Sequence, residues 1–232
     1  MRILALDTST WWGGVALVER TDEAGPGILV AELGVQVGVS HAPSLLESIE
    51  RLLALAGWDR SSIDAYAATR GPGSFTGVRV GLGTIRGLSL ATDRSCAGVS
   101  TLDAVAEAHG PALVERIALI GAGRGELFGA RYDASSSPVV PLEEPWLGPP
   151  ARVAASVGEG GAVAIPAPGT DSVVRDARVD APGLCLAVAP RSIAAAAGRL
   201  VLQRGEFHPD KSASLSPLYL RPPDAQLKLP TP

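Results

Sequence analysis

The chain has 232 residues, 46% of them hydrophobic and 19% charged, with a net charge of −4 and a pI near 5.4. That balance supports one large domain or two small lobes around a buried core, and it excludes a disordered chain. An acidic sum also argues against a free-standing RNA binder, which would carry a basic face.

Cys96 and Cys185 lie far apart without metal-ligand spacing, so no disulfide framework is expected and a reducing compartment fits. The apolar start, Ile3 to Leu6, is interrupted by Asp7 and is too short for a signal peptide. No window reaches the roughly 20 apolar residues of a membrane span. The expectation is a soluble cytoplasmic protein.

Ile3–Leu6 and Val15–Val18 are short apolar runs around the turn formers Asp7-Thr8-Ser9-Thr10 and Gly13-Gly14, which reads as a buried β-hairpin. A third strand is expected over Gly27–Val37. From Pro43 to Ala56 the period becomes helical, with Leu45, Leu46, Ile49, Leu52, Leu53 and Ala56 recurring and Gly57 as the stop. Ile63–Thr69 reads as a strand, Ser74–Leu90 as a second helix and Cys96–Val99 as a short strand. Ser100 and Asp103 resemble a capping box for a third helix ending at His109-Gly110-Pro111. Strands are expected at Ile117–Ile120 and Glu126–Tyr132, a helix at Arg191–Arg204 and a closing apolar segment at Leu215–Leu220. Between Ser135 and Pro190 the Pro, Gly and Ala content leaves little to place. The order of elements gives an α/β class, with a first lobe over residues 1–109 and a second over 110–232.

The stretch Gly71-Pro72-Gly73-Ser74-Phe75-Thr76-Gly77-Val78-Arg79 invites a phosphate-loop reading, but Gly77 is followed by Val78-Arg79 where a Walker A loop needs Lys and then Ser or Thr. The second helix then carries Gly77, Gly81, Gly83 and Gly87, each costing about 1 kcal/mol of helix propensity relative to Ala. Spacings of four make two small-residue notches. Either the lobe's own sheet or a helix of another subunit could fill them, and spacing leaves both open.

Asp7, Thr8 and Ser9 could hold a metal–phosphate group, although turn residues at a turn need no function. His41, His109 and His208 show no zinc spacing, and neither a His-Glu-x-x-His nor a Gly-x-Ser-x-Gly motif occurs. No catalytic or metal residue is assigned. His109, at a helix end, reads as a C-terminal capping residue.

Ile3–Ser9, the His41–Ala56 helix, Gly71–Arg79 and Gly98-Val99-Ser100-Thr101-Leu102 occur in the order found in the TsaB (YeaZ) family, which the chain resembles over about residues 1–109. Gly125–Phe128 and Pro217–Arg221 extend the resemblance more weakly. It implies the two-lobed actin-like, Hsp70-type ATPase (ASKHA) fold with ribonuclease-H-like lobes, the second reduced after Ser135 and its C-terminal segment returning to the first. It also implies a non-catalytic partner of a TsaD-like subunit that transfers a threonylcarbamoyl group to tRNA adenosine 37. TsaD-like subunits carry a His-x-x-x-His pair near the start of the third helix; here only His109 stands there.

Pairing through the first two helices would use His41, Leu45 and Ile49 from one, and Gly77, Arg79, Gly81 and Thr84 from the other. A TsaE-like ATPase would dock on that pair, tRNA would be met through the complex, and a homodimer could form when the partner is missing. No cofactor is required, and the fold allows weak ATP or ADP binding at Asp7, Thr8 and Ser9, the basis of an alternative reading as a phosphotransferase. Ile120-Gly121-Ala122-Gly123-Arg124 departs from the Ile-Asp-Ala-Arg common in relatives, so a role for that acidic residue does not carry over.

Overall fold

A computed structural model of the chain describes residues 1–22, 25–36, 45–167, 169–170, 181–188, 190–205, 207 and 215–221. The first sheet contains β1 (Arg2–Asp7), β2 (Trp12–Glu19), β3 (Ile28–Gln36), β4 (Ala65–Thr69) and β5 (Ser95–Val99), in the order β3-β2-β1-β4-β5. The first three strands are antiparallel; β4 and β5 join β1 in parallel. Parallel strands need crossovers, and α1 (Leu45–Ala56) and α2 (Phe75–Thr92) supply them. Pro43, the expected first-turn residue of that first helix, and the expected strand end Val37 lie outside the described residues.

The second sheet repeats the plan with β6 (Glu115–Gly123), β7 (Glu126–Asp133), β8 (Val140–Pro141), β10 (Ala162–Pro166) and β11 (Leu184–Leu186), in the order β11-β10-β6-β7-β8. β9 (Trp146–Gly148) also pairs with β7, and α4 (Arg152–Ala155) follows it. Here too a central antiparallel hairpin is extended by parallel strands. The expected hairpin strands of this half are present and longer than their apolar cores. Four of the other strands and α4 come from the stretch the sequence left nearly blank.

Alternation assigns the faces. Leu4, Leu6, Tyr66 and Ala68 meet Ile49, Leu52 and Leu53 of α1 and Val78, Leu82 and Ile85 of α2. Their neighbours Ile3, Ala5, Ala65 and Ala67 point the other way, toward α5 (Ala194–Arg204). Ile3 and Val18 apart, that face is rich in alanine, and so is the helix: a Cβ on Gly198 would come within 3.1 Å of the Ala5 Cβ. Alanine against alanine brings backbone layers close, which a leucine face would forbid.

α3 (Thr101–Glu107) leaves the first sheet and packs on β6, β7 and β10 of the second, while α5 leaves the second and packs on β1, β2, β4 and β5 of the first. Both helices therefore lie in one apolar layer between the sheets.

Polar groups pin this exchange. Asp103 accepts from the Tyr132 hydroxyl at 2.8 Å and from Arg204 at 2.7 Å, joining α3, β7 and α5. The expected capping box is thus not made: Ser100 occupies the N-cap without a side-chain cap bond, and Asp103 reaches across the interlayer instead. Burial, then the Asp103 charge, raises the Tyr132 phenol well above its ordinary value, so it remains the donor. The Arg116 guanidinium satisfies the carbonyls of Ala106 (2.6 Å) and Gly110 at the end of α3. His109, expected to cap there, bonds the Val188 carbonyl at 3.1 Å. Among the described residues no helix is long and apolar enough to cross a membrane.

Candidate functional site

In open sheets of this kind the carboxyl ends of the parallel strands form the natural ligand crevice. Here those ends carry Asp7 after β1, the Gly71–Ser74 loop after β4 and the start of α3 after β5. The Asp7 carboxylate is fully buried. One oxygen accepts from the Ser9 amide (2.9 Å), the Ser9 hydroxyl (2.6 Å) and the Thr69 hydroxyl (2.6 Å), and the other accepts from Thr10 at 2.7 Å. Four donors from the chain itself thus engage it, three on one oxygen and one on the other.

The loop after β4 closes over the same turn. Ser74 donates its amide to the Ser9 carbonyl at 2.8 Å, and Thr101 shares a hydroxyl contact with Ser9 at 2.9 Å while accepting from the Gly71 amide at 3.1 Å. A side chain on Gly73 would overlap the Ser9 carbonyl. Gly73 (φ 154°) and Gly71 (φ 103°) also have backbone angles that other residues rarely adopt. Asp7 and Ser9 are thus bonded within the turn and Thr8 to the Gly77 carbonyl, so a nucleotide phosphate at Asp7, Thr8 and Ser9 would have to share or displace these bonds. Among the described residues no three His, Cys, Asp or Glu side chains converge as a ligand set.

The two notches of α2 face different ways. A Cβ on Gly77 would overlap the Thr8 carbonyl oxygen and one on Gly81 the Thr8 hydroxyl, which itself donates to the Gly77 carbonyl at 2.7 Å. Thr8 of the same chain thus fills the notch that Gly77 and Gly81 were expected to offer a partner. Gly83 and Gly87 are exposed, and a Cβ on either would meet nothing within 4 Å. Val80 and Leu90 flank them, 49% and 63% exposed.

The remaining assignments separate similarly. Ile49 is a core residue, 3% exposed, and Leu45 is half-buried against the same core. On α1 the exposed leucines are Leu46 and Leu55. Thr84 is half-buried and returns its hydroxyl to the Val80 carbonyl at 2.9 Å. Arg79 is exposed, with its guanidinium carbon 3.8 Å from the Phe75 ring centre and its Nε donating to the Tyr219 hydroxyl at 3.0 Å. His41 lies outside the described residues.

Sequence reasoning passed over Val80 and Leu90, although the signal existed. The inward stripe of α2 is Val78, Leu82, Ile85 and Ser89, and these two apolar residues fall off it.

Residues 36–171 match the family model for TsaD, tRNA N6-adenosine threonylcarbamoyltransferase. The tRNA threonylcarbamoyladenosine biosynthesis protein TsaB of Escherichia coli K12 is 36% identical over 149 residues, 62% of this chain and 60% of that protein. The protein of the same name from Haemophilus influenzae is 40% identical over 108 residues, 47% of this chain and 43% of that one. The matches thus span about half the length of these curated relatives. The solved structure of YeaZ from Pseudomonas aeruginosa superposes with a TM-score of 0.75 at 28% identity, over 94% of this chain and 99% of that one. Component A of (R)-2-hydroxyglutaryl-CoA dehydratase from Acidaminococcus fermentans shares the fold alone, with a TM-score of 0.53 at 11% identity over 88% and 98% of the two chains. Those relatives, the paired ribonuclease-H-like sheets and the Gly71–Arg79 loop together place this chain in the TsaB (YeaZ) family.

Proposed function

We propose that the chain is a non-catalytic scaffold subunit in tRNA threonylcarbamoyladenosine synthesis, pairing with a TsaD-like transferase and presenting that pair to a TsaE-like ATPase. Membership in a family whose Escherichia coli protein is named for this biosynthesis supplies the process. The observation that carries the scaffold role is the open side of α2, where Gly83 and Gly87 form a notch between exposed Val80 and Leu90. Two glycines four apart let a second helix approach at backbone distance, and the flanking apolar groups supply burial on contact. Leu46 and Leu55 of α1 are further exposed apolar groups on the helices that cover this side of the sheet. The fully buried Asp7 carboxylate, engaged by four donors of its own chain, supports the non-catalytic half of the reading.

The test mixes the purified chain with a TsaD-like subunit, a TsaE-like subunit, tRNA and a source of threonylcarbamoyl-adenylate. The chain alone should make no modified nucleoside, and adding it should restore synthesis to the other two. Gly87→Leu should weaken the heterodimer at least about tenfold, the cost of one obstructed close contact, without lowering the melting temperature. Absence of a complex, or synthesis that proceeds equally without this chain, would overturn the reading.

A further inference from the structure

Residues 215–221 run as a strap from one half of the molecule to the other. Leu215 is buried in the core beneath α1 and α2, and the Leu218 amide donates to the Arg70 carbonyl at 2.7 Å. Tyr219 lies against the first turns of α2. Arg221 then reaches the β6–β7 hairpin, donating to the Ala122 carbonyl at 2.9 Å and pairing with Glu126. The tip of that hairpin presents exposed Arg124 between Gly123 and Gly125.

The strap thereby aligns two aromatic rings with arginines. Phe75 and Tyr219 are 37% and 39% exposed, with ring centres 5.1 Å apart and planes tilted by 31°. Arg79 is stacked on the first and hydrogen-bonded to the second. Glu126, the carboxylate beside the strap's end, is held by Arg221. On a chain of net charge −4, a run of Arg79, Arg221 and Arg124 is a local reversal of sign. Exposed aromatic faces interleaved with guanidinium groups suit a polyanion whose units also have flat faces, which describes unpaired nucleotides better than an acidic peptide.

We propose that this strip, from Phe75 and Arg79 across Tyr219 to Arg124, contacts a single-stranded RNA loop directly. The rings stack an unpaired base, and Arg79 and Arg124 hold flanking phosphates. The inference rests on the proposed role in tRNA modification for the identity of the RNA, and it replaces contact through the complex by contact with this chain.

A fluorescent anticodon stem-loop RNA is titrated by anisotropy against the chain and against its complex with a TsaD-like subunit, across a salt series, with a blunt RNA duplex as control. Tyr219→Ala should weaken binding of the stem-loop about tenfold, as expected for one stacked base, while Tyr219→Phe retains most of the affinity. Arg124→Gln should lower the slope of log affinity against log salt by about 0.7, one phosphate contact to a single strand. The duplex should bind weakly and alike in all variants. Should Tyr219→Ala fail to fold by circular dichroism, Arg124→Gln at the exposed hairpin tip decides.

Unchanged stem-loop affinity in these variants overturns the proposal. So does a weakened heterodimer with RNA binding intact, which would make the strip a protein contact. Photocrosslinking of the same RNA to the chain alone reads the strip without any partner. A missing heterodimer would therefore sink the scaffold reading, while the presence or absence of crosslinks at Phe75 or Tyr219 would still decide this one.

Discussion

The two faces of α2 carry the same sequence device and use it differently. Gly77 and Gly81, four apart, admit Thr8 of the same chain; Gly83 and Gly87, also four apart, face open space. A small-residue spacing says that a backbone can come close, but not which one. That is decided by whatever lies opposite, and Thr8 precedes Gly77 by 69 residues in the chain. The internal pair serves folding, and the outward pair is free to serve association.

The largest effect should come from the internal pair. Gly77→Ala drives a methyl group into a backbone carbonyl that four-way bonding of the neighbouring turn holds still, and should cost about 3 kcal/mol. Chemical denaturation checks it; a loss below about 1 kcal/mol would show that the Thr8 turn gives way and would break the contrast. Asp7→Ala should come next, at about 2–3 kcal/mol, because it strands the buried Thr69 hydroxyl and the Ser9 amide and leaves the Ser9 and Thr10 hydroxyls only Thr101 and the Trp12 carbonyl. A variant of unchanged stability that had lost measurable ATP turnover would instead restore the phosphotransferase reading of Asp7.

Smaller and opposite in sign, Gly83→Ala and Gly87→Ala should each stabilise the monomer by about 0.5–1 kcal/mol, the ordinary gain in helix propensity where nothing obstructs the methyl group. Destabilisation of the isolated chain would mean that this face is not open.

The least effect belongs to His109, remote from both faces and useful as a baseline. Burial holds its imidazole below the ordinary value. As pH falls through the imidazole range, the unfolded chain takes up a proton that the folded chain resists, so stability is full above that range and declines below it. Melting temperatures from pH 8 to pH 5 should show a decline that His109→Gln reduces; identical slopes would remove the assignment.

Much of the first half was legible in the sequence because its periods are clean. Ile3–Leu6 against Val15–Val18 gave the central hairpin, and the helical period of Leu45, Ile49, Leu52 and Leu53 gave the first crossover helix. The second half hid its sheet in strands of two to five residues, such as Val140–Pro141 and Leu184–Leu186, whose pairing depends on distant partners rather than on any local pattern. The site divided similarly. Arg79 is exposed while Ile49 is buried in the core, a difference hidden in the sequence because a helical period shows an apolar stripe without saying what covers it. The capping box at Ser100 failed because Asp103 had a better offer from Tyr132 and Arg204, both too distant in sequence to be seen from it.

The exchange of α3 and α5 between the sheets has a consequence for synthesis. β1 is made well before α5, yet one of its faces remains bare until residues 194–204 are available to cover it. At ribosomal speeds of about 5–20 residues per second, that is an interval of roughly 10–40 s. An Ala-rich, low-bulk face is a prudent surface to leave uncovered for so long, since it offers a passing hydrophobic segment much less to grip than leucines or phenylalanines would. The small side chains that let α5 pack closely in the finished protein also keep the nascent chain from sticking while it waits for that helix.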